Sequence, residues 1–132
     1  MEVKTKDLKQ GAMIKASPED VYGAFMDAKK HSVFTGAKAV IDPKVGGKFS
    51  VWDGYASGVT KELVPGKKIV QTWRASDWPE GHHSTITLTL AKTSTGTKLS
   101  FVQKGIPAES FDDIKQGWID YYWKPMKKML EK

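Results

Sequence analysis

Three histidines, a spread of carboxylates and a dense set of aromatic rings are the groups in this sequence with chemistry to offer. His82 and His83 are adjacent, directly after Gly81. Neighbours on an extended chain point to opposite faces, so this pair is poorly built to share a metal. His31 is remote in sequence, and the chain has no cysteine to supply a thiolate. Neither a metal site nor a cofactor is expected. Nucleophile and phosphate motifs are absent: G-x-S-x-G, the Walker loop and G-x-G-x-x-G do not occur. Gly46-Gly47-Lys48 lacks phosphate-loop spacing and reads as a hairpin turn. A general acid or base would have to be Asp27, Glu62 or a histidine turned into a cavity. Carboxylates on strands are normally solvated, so no catalytic residue is assigned and the chain reads as a non-enzyme.

The aromatic and apolar set offers binding instead. Ile69, Gln71 and Trp73 alternate along one strand and share a face, with Gln71 as the one polar group. A lone polar group on an apolar face is how a pocket orients a ligand. The expected lining of such a cavity is Phe25, Phe49, Ile69, Gln71, Trp73, Ile86, Leu88, Phe101, Trp118 and Tyr122, the same side chains that would build the core. Trp78 lies in the turn-rich stretch Asp77-Trp78-Pro79-Glu80-Gly81. It reads either as an exposed anchor for a protein partner or as a ring folded back on the sheet edge. With Lys124, Lys127 and Lys128 of the last helix it makes up the expected partner-binding set.

These groups need elements to position them. Gln10 to Ala16 reads as a first strand. Ser17-Pro18-Glu19-Asp20 starts a helix: a capping hydroxyl, a proline at the first helical position and two acids at the positive dipole end. A second short helix is expected over 28–34, ending at Gly36. Strands follow at 48–52, 55–64, 68–75, 84–91 and 98–104, with Asp53-Gly54 as a two-residue hairpin turn. In S-T-I-T-L-T-L-A, Ile86, Leu88 and Leu90 face one way and the threonines the other. The sheet therefore has one wet and one apolar face. From Glu109 onward, Phe111, Ile114, Trp118, Tyr121/Tyr122, Pro125 and Met129 follow a helical period. That helix is long enough to cover the apolar face. Gly117 is expected to let it approach the sheet closely, and Pro125 to bend it along a curved surface. The order predicts an α+β domain with about six to seven antiparallel strands, two short helices after the first strand and one long C-terminal helix.

The 132 residues suit a single domain, 1–132. The formal charge is +6, yet Arg74 is the only arginine among the 21 basic residues. Base and bidentate phosphate readout favour arginine, so the excess reads as a solvated lysine surface with no nucleic-acid partner. The longest apolar runs are too short to span a bilayer. The polar N-terminus MEVKTKDLKQG is no secretory signal, and a cytoplasmic location is expected.

Three stretches carry a wider resemblance: DPKVGGKFSVWDGYASG (42–58), ELVPGKKIVQTWRASDWPEGHHS (62–84) and GWIDYYWKPMKKML (117–130). They closely resemble the C-terminal-domain type of the activator of heat shock protein 90 ATPase, within the START-like, or SRPBCC, helix-grip superfamily. The resemblance implies a curved sheet gripping the last helix with a cavity between them. It also implies a co-chaperone-like module whose partner is a heat shock protein 90-type chaperone. A carrier of a small hydrophobic or amphipathic molecule is the alternative, and a cyclase- or hydrolase-like enzyme a more distant one. The eukaryotic co-chaperones of this type carry an added N-terminal domain, for which 132 residues leave no room, and no Asn-x-Trp-His-Trp element occurs. Chaperone contact is thus implied more directly than full ATPase activation.

Overall fold

The computed structural model describes residues 3–131. Seven strands form one antiparallel sheet in the order β1-β7-β6-β5-β4-β3-β2. They are β1 Thr5–Ile14, β2 Val40–Ile41, β3 Lys48–Val51, β4 Ala56–Val64, β5 Lys68–Ala75, β6 Ser84–Lys92 and β7 Thr97–Pro107. Between β1 and β2 the chain forms helices α1 Pro18–Met26 and α2 Ala28–Thr35. It ends in α3 Phe111–Trp118, a wide-turned segment Ile119–Trp123 and α4 Lys124–Leu130. This is the helix-grip arrangement expected from the sequence.

Local chemistry sets the boundaries. Ser17 Oγ accepts from the Asp20 N–H at 3.1 Å, with Pro18 opening α1. Asp27 closes α1 and caps α2, accepting from Lys30 N–H at 3.0 Å. Gly36 ends α2 in the left-handed region. Bulges between Lys6 and Leu8 and between Thr60 and Glu62 add twist where the sheet must bend. At Gly58 any side chain would collide with the Thr72 carbonyl and the Phe49 ring, so only glycine lets β4 lie so close there.

Along β6, Ile86, Leu88 and Leu90 are buried, and so are Leu99 and Phe101 on β7. The terminal helix covers this face with Ile114, Trp118, Tyr122, Trp123 and Met126. Spacing of four residues runs ahead of the 3.6-residue α period, so such a stripe creeps around a regular helix. The wide turn corrects this: Lys124 N–H donates to the Ile119 carbonyl, five residues back. A turn of this kind rotates fewer degrees per residue and returns Trp123 to the sheet, edge-on to Phe101 of β7 at 5.3 Å between centroids.

Four expectations are corrected here. The first strand starts at Thr5, not Gln10, because Leu8 already pairs with Gln103 and is buried. The turn between β3 and β4 has four residues, Trp52 to Tyr55, not two, since Val51 pairs with Ala56. The helix irregularity is a widened turn before Pro125 and not a kink at it alone. Gly117 approaches no strand; the nearest atom to a side chain there would be Tyr121 Cδ2, at ordinary contact distance.

Candidate functional site

The sheet and the terminal helix meet over two very different spaces. Between Phe25, Phe49, Gln71, Trp73 and Tyr122 the interior void is only about 10 Å³. That is at the threshold for one water molecule. The rings occupy the volume that a ligand would need. Ile69, Ile86, Leu88 and Phe101, expected as lining, are buried core and border neither this void nor the outer groove. Gln71 is buried too, but its amide N–H groups are directed at Thr60 Oγ1 (3.2 Å) and Met26 Sδ (3.6 Å), so they are spent inside the protein.

The second space is a solvent-open groove of about 690 Å³. Trp52 and Tyr55 of the β3–β4 turn form one wall, and Trp73 of β5 the floor with Trp118. The far wall is the helix, with Ile114, Gly117, Tyr121 and Tyr122 and the carboxylates of Asp113 and Asp120. Of the sequence-expected residues, Trp73, Trp118 and Tyr122 come together here. Trp52, Tyr55 and Tyr121 were not anticipated.

The turn that presents Trp52 is strained. Trp52 and Asp53 have φ of 56° and 54°, and Gly54 follows at 91°. A non-glycine residue in this region costs on the order of 1–3 kcal/mol and persists only when neighbours enforce it. Here Lys38 N–H donates to Asp53 Oδ1 at 3.0 Å, and Asp53 N–H donates to the Lys38 carbonyl at 3.1 Å. The Trp52 indole N–H then donates to the Tyr122 hydroxyl at 3.1 Å.

That hydroxyl begins a directed chain. His31 Nδ1 lies 2.9 Å from the Phe25 carbonyl, which can only accept, so Nδ1 carries the proton. Nε2 is then the acceptor for Tyr122 O–H, at 3.0 Å. Burial pushes the Tyr122 hydroxyl far above its ordinary range, partly offset by the Trp52 bond. Burial also lowers the His31 pKa, against a smaller opposing effect of its bond to Phe25. Both groups are held neutral. A second network fixes Trp118: its indole N–H donates to Gln103 Oε1 at 2.8 Å, Gln103 Nε2 donates to Ser84 Oγ at 2.9 Å, and Ser84 donates to the Trp73 carbonyl at 2.8 Å.

Trp78 requires a correction. It is not an exposed anchor; only 5% of it is accessible. Arg74 folds its loop back, with Nη2 donating to the Trp78 and Pro79 carbonyls and Nε to that of His82. The ring packs edge-on to Trp73 with centroids 5.3 Å apart. Lys124 and Lys128 are exposed and Lys127 half-buried, so the remaining partner-binding candidates do reach solvent. His82 Nε2 sits 2.8 Å from the Gly105 carbonyl, while His83 Nδ1 faces the Gly81 carbonyl at 3.2 Å. Asp27 is an N-cap, and Glu62 pairs with Lys68 at 3.0 Å on the surface.

A groove set beside a filled interior, on a sheet of this topology, can be compared with known proteins. The family model for "Activator of Hsp90 ATPase homolog 1-like protein" matches residues 15–131. The chain belongs to this family. It is 42% identical over 111 residues to the human activator of 90 kDa heat shock protein ATPase homolog 1, covering 84% of this chain and 33% of that protein. It is 39% identical over 115 residues to the Dictyostelium discoideum homologue, covering 86% of this chain and 30% of the relative. The chain thus spans about a third of the length of the curated relatives it matches. Among solved structures, an HSP90 activator from Plasmodium falciparum superposes with a TM-score of 0.88 at 29% identity, over 95% of this chain and 96% of that one. A Chromobacterium violaceum protein gives 0.80 at 29% identity, over 96% and 98%. The relatives are named for activating an ATPase and not for catalysis of their own. No helix among the described residues is long and apolar enough to cross a membrane.

Proposed function

We propose that this domain is a non-enzymatic, co-chaperone-like module that binds an Hsp90-type chaperone in the cytoplasm. The observation that carries this reading is family membership over nearly the whole chain, with relatives named as activators of Hsp90 ATPase. The filled interior supports it as well. A carrier encloses its cargo in a pocket of several hundred Å³; the void beneath the helix is only about 10 Å³, and the groove of about 690 Å³ beside it is open to solvent. The contact surface in this reading includes Lys124, Lys127 and Lys128, whose charges suit an acidic chaperone face.

A pull-down against purified Hsp90, with the chaperone's ATPase followed in parallel, tests the proposal. Binding should weaken as salt is raised. The triple variant Lys124→Glu, Lys127→Glu, Lys128→Glu should bind at least about tenfold more weakly while melting near the parent temperature. A folded domain that never associates with the chaperone sinks the reading. Unchanged binding by the triple variant moves the contact elsewhere.

A further inference from the structure

The open groove has a chemical character that the chaperone reading does not use. Its walls are rings: Trp52, Tyr55, Trp73, Trp118 and Tyr121. Its charged lining consists of Asp113 and Asp120, with no lysine, arginine or histidine. That is notable in a chain with 21 basic and 15 acidic residues. The Asp120 Oδ1 atom is partly occupied, by Gln116 Nε2 at 3.1 Å and Lys124 Nζ at 3.5 Å. Asp113 makes no ion pair among the described residues. The local field is felt by Tyr55, whose hydroxyl pKa is raised by burial first and then by the charges of Asp77 and Asp113.

The rings are accessible as well as numerous. Tyr121 is 58% and Tyr55 42% exposed, so both rings reach solvent, with Tyr121 set edge-to-face against Trp52 at 5.5 Å between centroids. An aromatic face carries negative charge density and attracts a cation within about 6 Å of the ring centre. Carboxylates at the same groove add a second attraction of the same sign. The volume lies within the range of small-molecule sites, about 300–1,000 Å³.

We propose that the groove between the Trp52–Tyr55 turn and the terminal helix binds a small organic cation, an ammonium group on an apolar body. The rings of Trp52, Tyr55 and Tyr121 take the apolar body and the cation's face, and Asp113 supplies the counter-charge. This inference stands on the groove's own chemistry and not on the chaperone reading, and its test contains no chaperone.

The test uses benzyltrimethylammonium as probe and its neutral carbon isostere, neopentylbenzene, as control. Binding is followed by tryptophan fluorescence and by the indole N–H resonances of Trp52 and Trp118. The cation should bind about tenfold or more tightly than the isostere. Asp113→Asn should weaken the cation severalfold and leave the isostere unchanged. Tyr121→Ala should weaken both. Both positions are solvent-accessible, and thermal melts of the variants check that the fold is kept. Equal affinity for the two probes overturns the proposal, as does an Asp113→Asn variant that binds the cation normally. Absence of binding overturns it. So does binding of a lysine-bearing apolar peptide without any binding of the free cation, which would make the groove a protein-docking surface.

Discussion

Trp118 and Gln103 are joined across the sheet–helix interface by a single buried hydrogen bond of 2.8 Å. This bond ties the aromatic face of the terminal helix to β7. Gln103 is placed by the register of the strand pair, opposite Ile86 on β6, and its amide is oriented by Ser84. A periodicity argument assigns Trp118 to the core, but it does not provide the partner for its N–H.

Trp118→Ala should cost about 3–5 kcal/mol, as truncation of a large buried ring does. Gln103→Leu should cost about 2–3 kcal/mol, because it leaves the Trp118 N–H buried and unpaired. Combining Gln103→Leu with Trp118→Phe should then cost less than the sum of the two single changes, by about 1 kcal/mol or more. Urea melts of the four proteins measure this coupling. Strict additivity would mean that the bond contributes nothing.

Trp78 should behave as a core residue. Trp78→Ala is expected to cost about 3–5 kcal/mol. Trp78→Phe is more informative. The indole N–H of Trp78 is the one buried side-chain polar group without a partner among the described residues. Removing an unsatisfied donor recovers part of what the smaller ring loses. The phenylalanine variant should therefore lie within about 1 kcal/mol of the parent in denaturant melts. A loss as large as that of alanine would mean that the N–H is satisfied in solution.

Tyr122→Phe removes the hydroxyl that both accepts from Trp52 and donates to His31. The half-buried Trp52 can turn to water, whereas His31 Nε2 is left buried without a donor. The expected cost is about 1–3 kcal/mol. The strained Trp52 turn should also loosen, seen as faster amide exchange at Asp53 and Gly54. Unchanged exchange there would show that Lys38 and Asp53 hold the turn alone.

Much of the architecture was legible because it rests on local chemistry. The Ser17-Pro18 start, the Gly36 stop and the alternation of Ile86, Leu88 and Leu90 all need only neighbouring residues to be read. The features that were missed depend on distant partners. Trp52 adopts a left-handed conformation because Lys38 and Tyr122 hold its turn. Trp78 is buried because Arg74 folds its loop back. β2 has two residues, too few to show any alternation. The wide turn at 119–123 preserves contacts with a sheet whose curvature a linear pattern does not contain. The filled interior follows from how ring volumes interlock, and so the expected inner cavity became solid core while an unpredicted groove opened outside it.

His31 makes the fold's stability depend on pH, in the direction set by its burial. An ordinary histidine titrates near pH 6.5 in the unfolded chain. In the folded protein its pKa is lowered, first by burial and against a smaller raising effect of the Phe25 carbonyl. The rings of Phe25, Phe34 and Tyr122 surround it, and no carboxylate pairs with it among the described residues. Protonation would also set an Nε2–H against the Tyr122 O–H. Below about pH 6.5 the unfolded chain therefore binds a proton that the folded state refuses. Stability from this group is complete above that pH and is lost as pH falls toward the lowered folded value. Urea midpoints should drop between about pH 7 and pH 5. His31→Gln retains a polar side chain but cannot titrate, so the difference between parent and variant isolates this one group. The variant should be less stable near neutrality and should show a shallower decline on acidification. A decline as steep as the parent's would assign the pH dependence to other residues and leave His31 a purely steric part of the core.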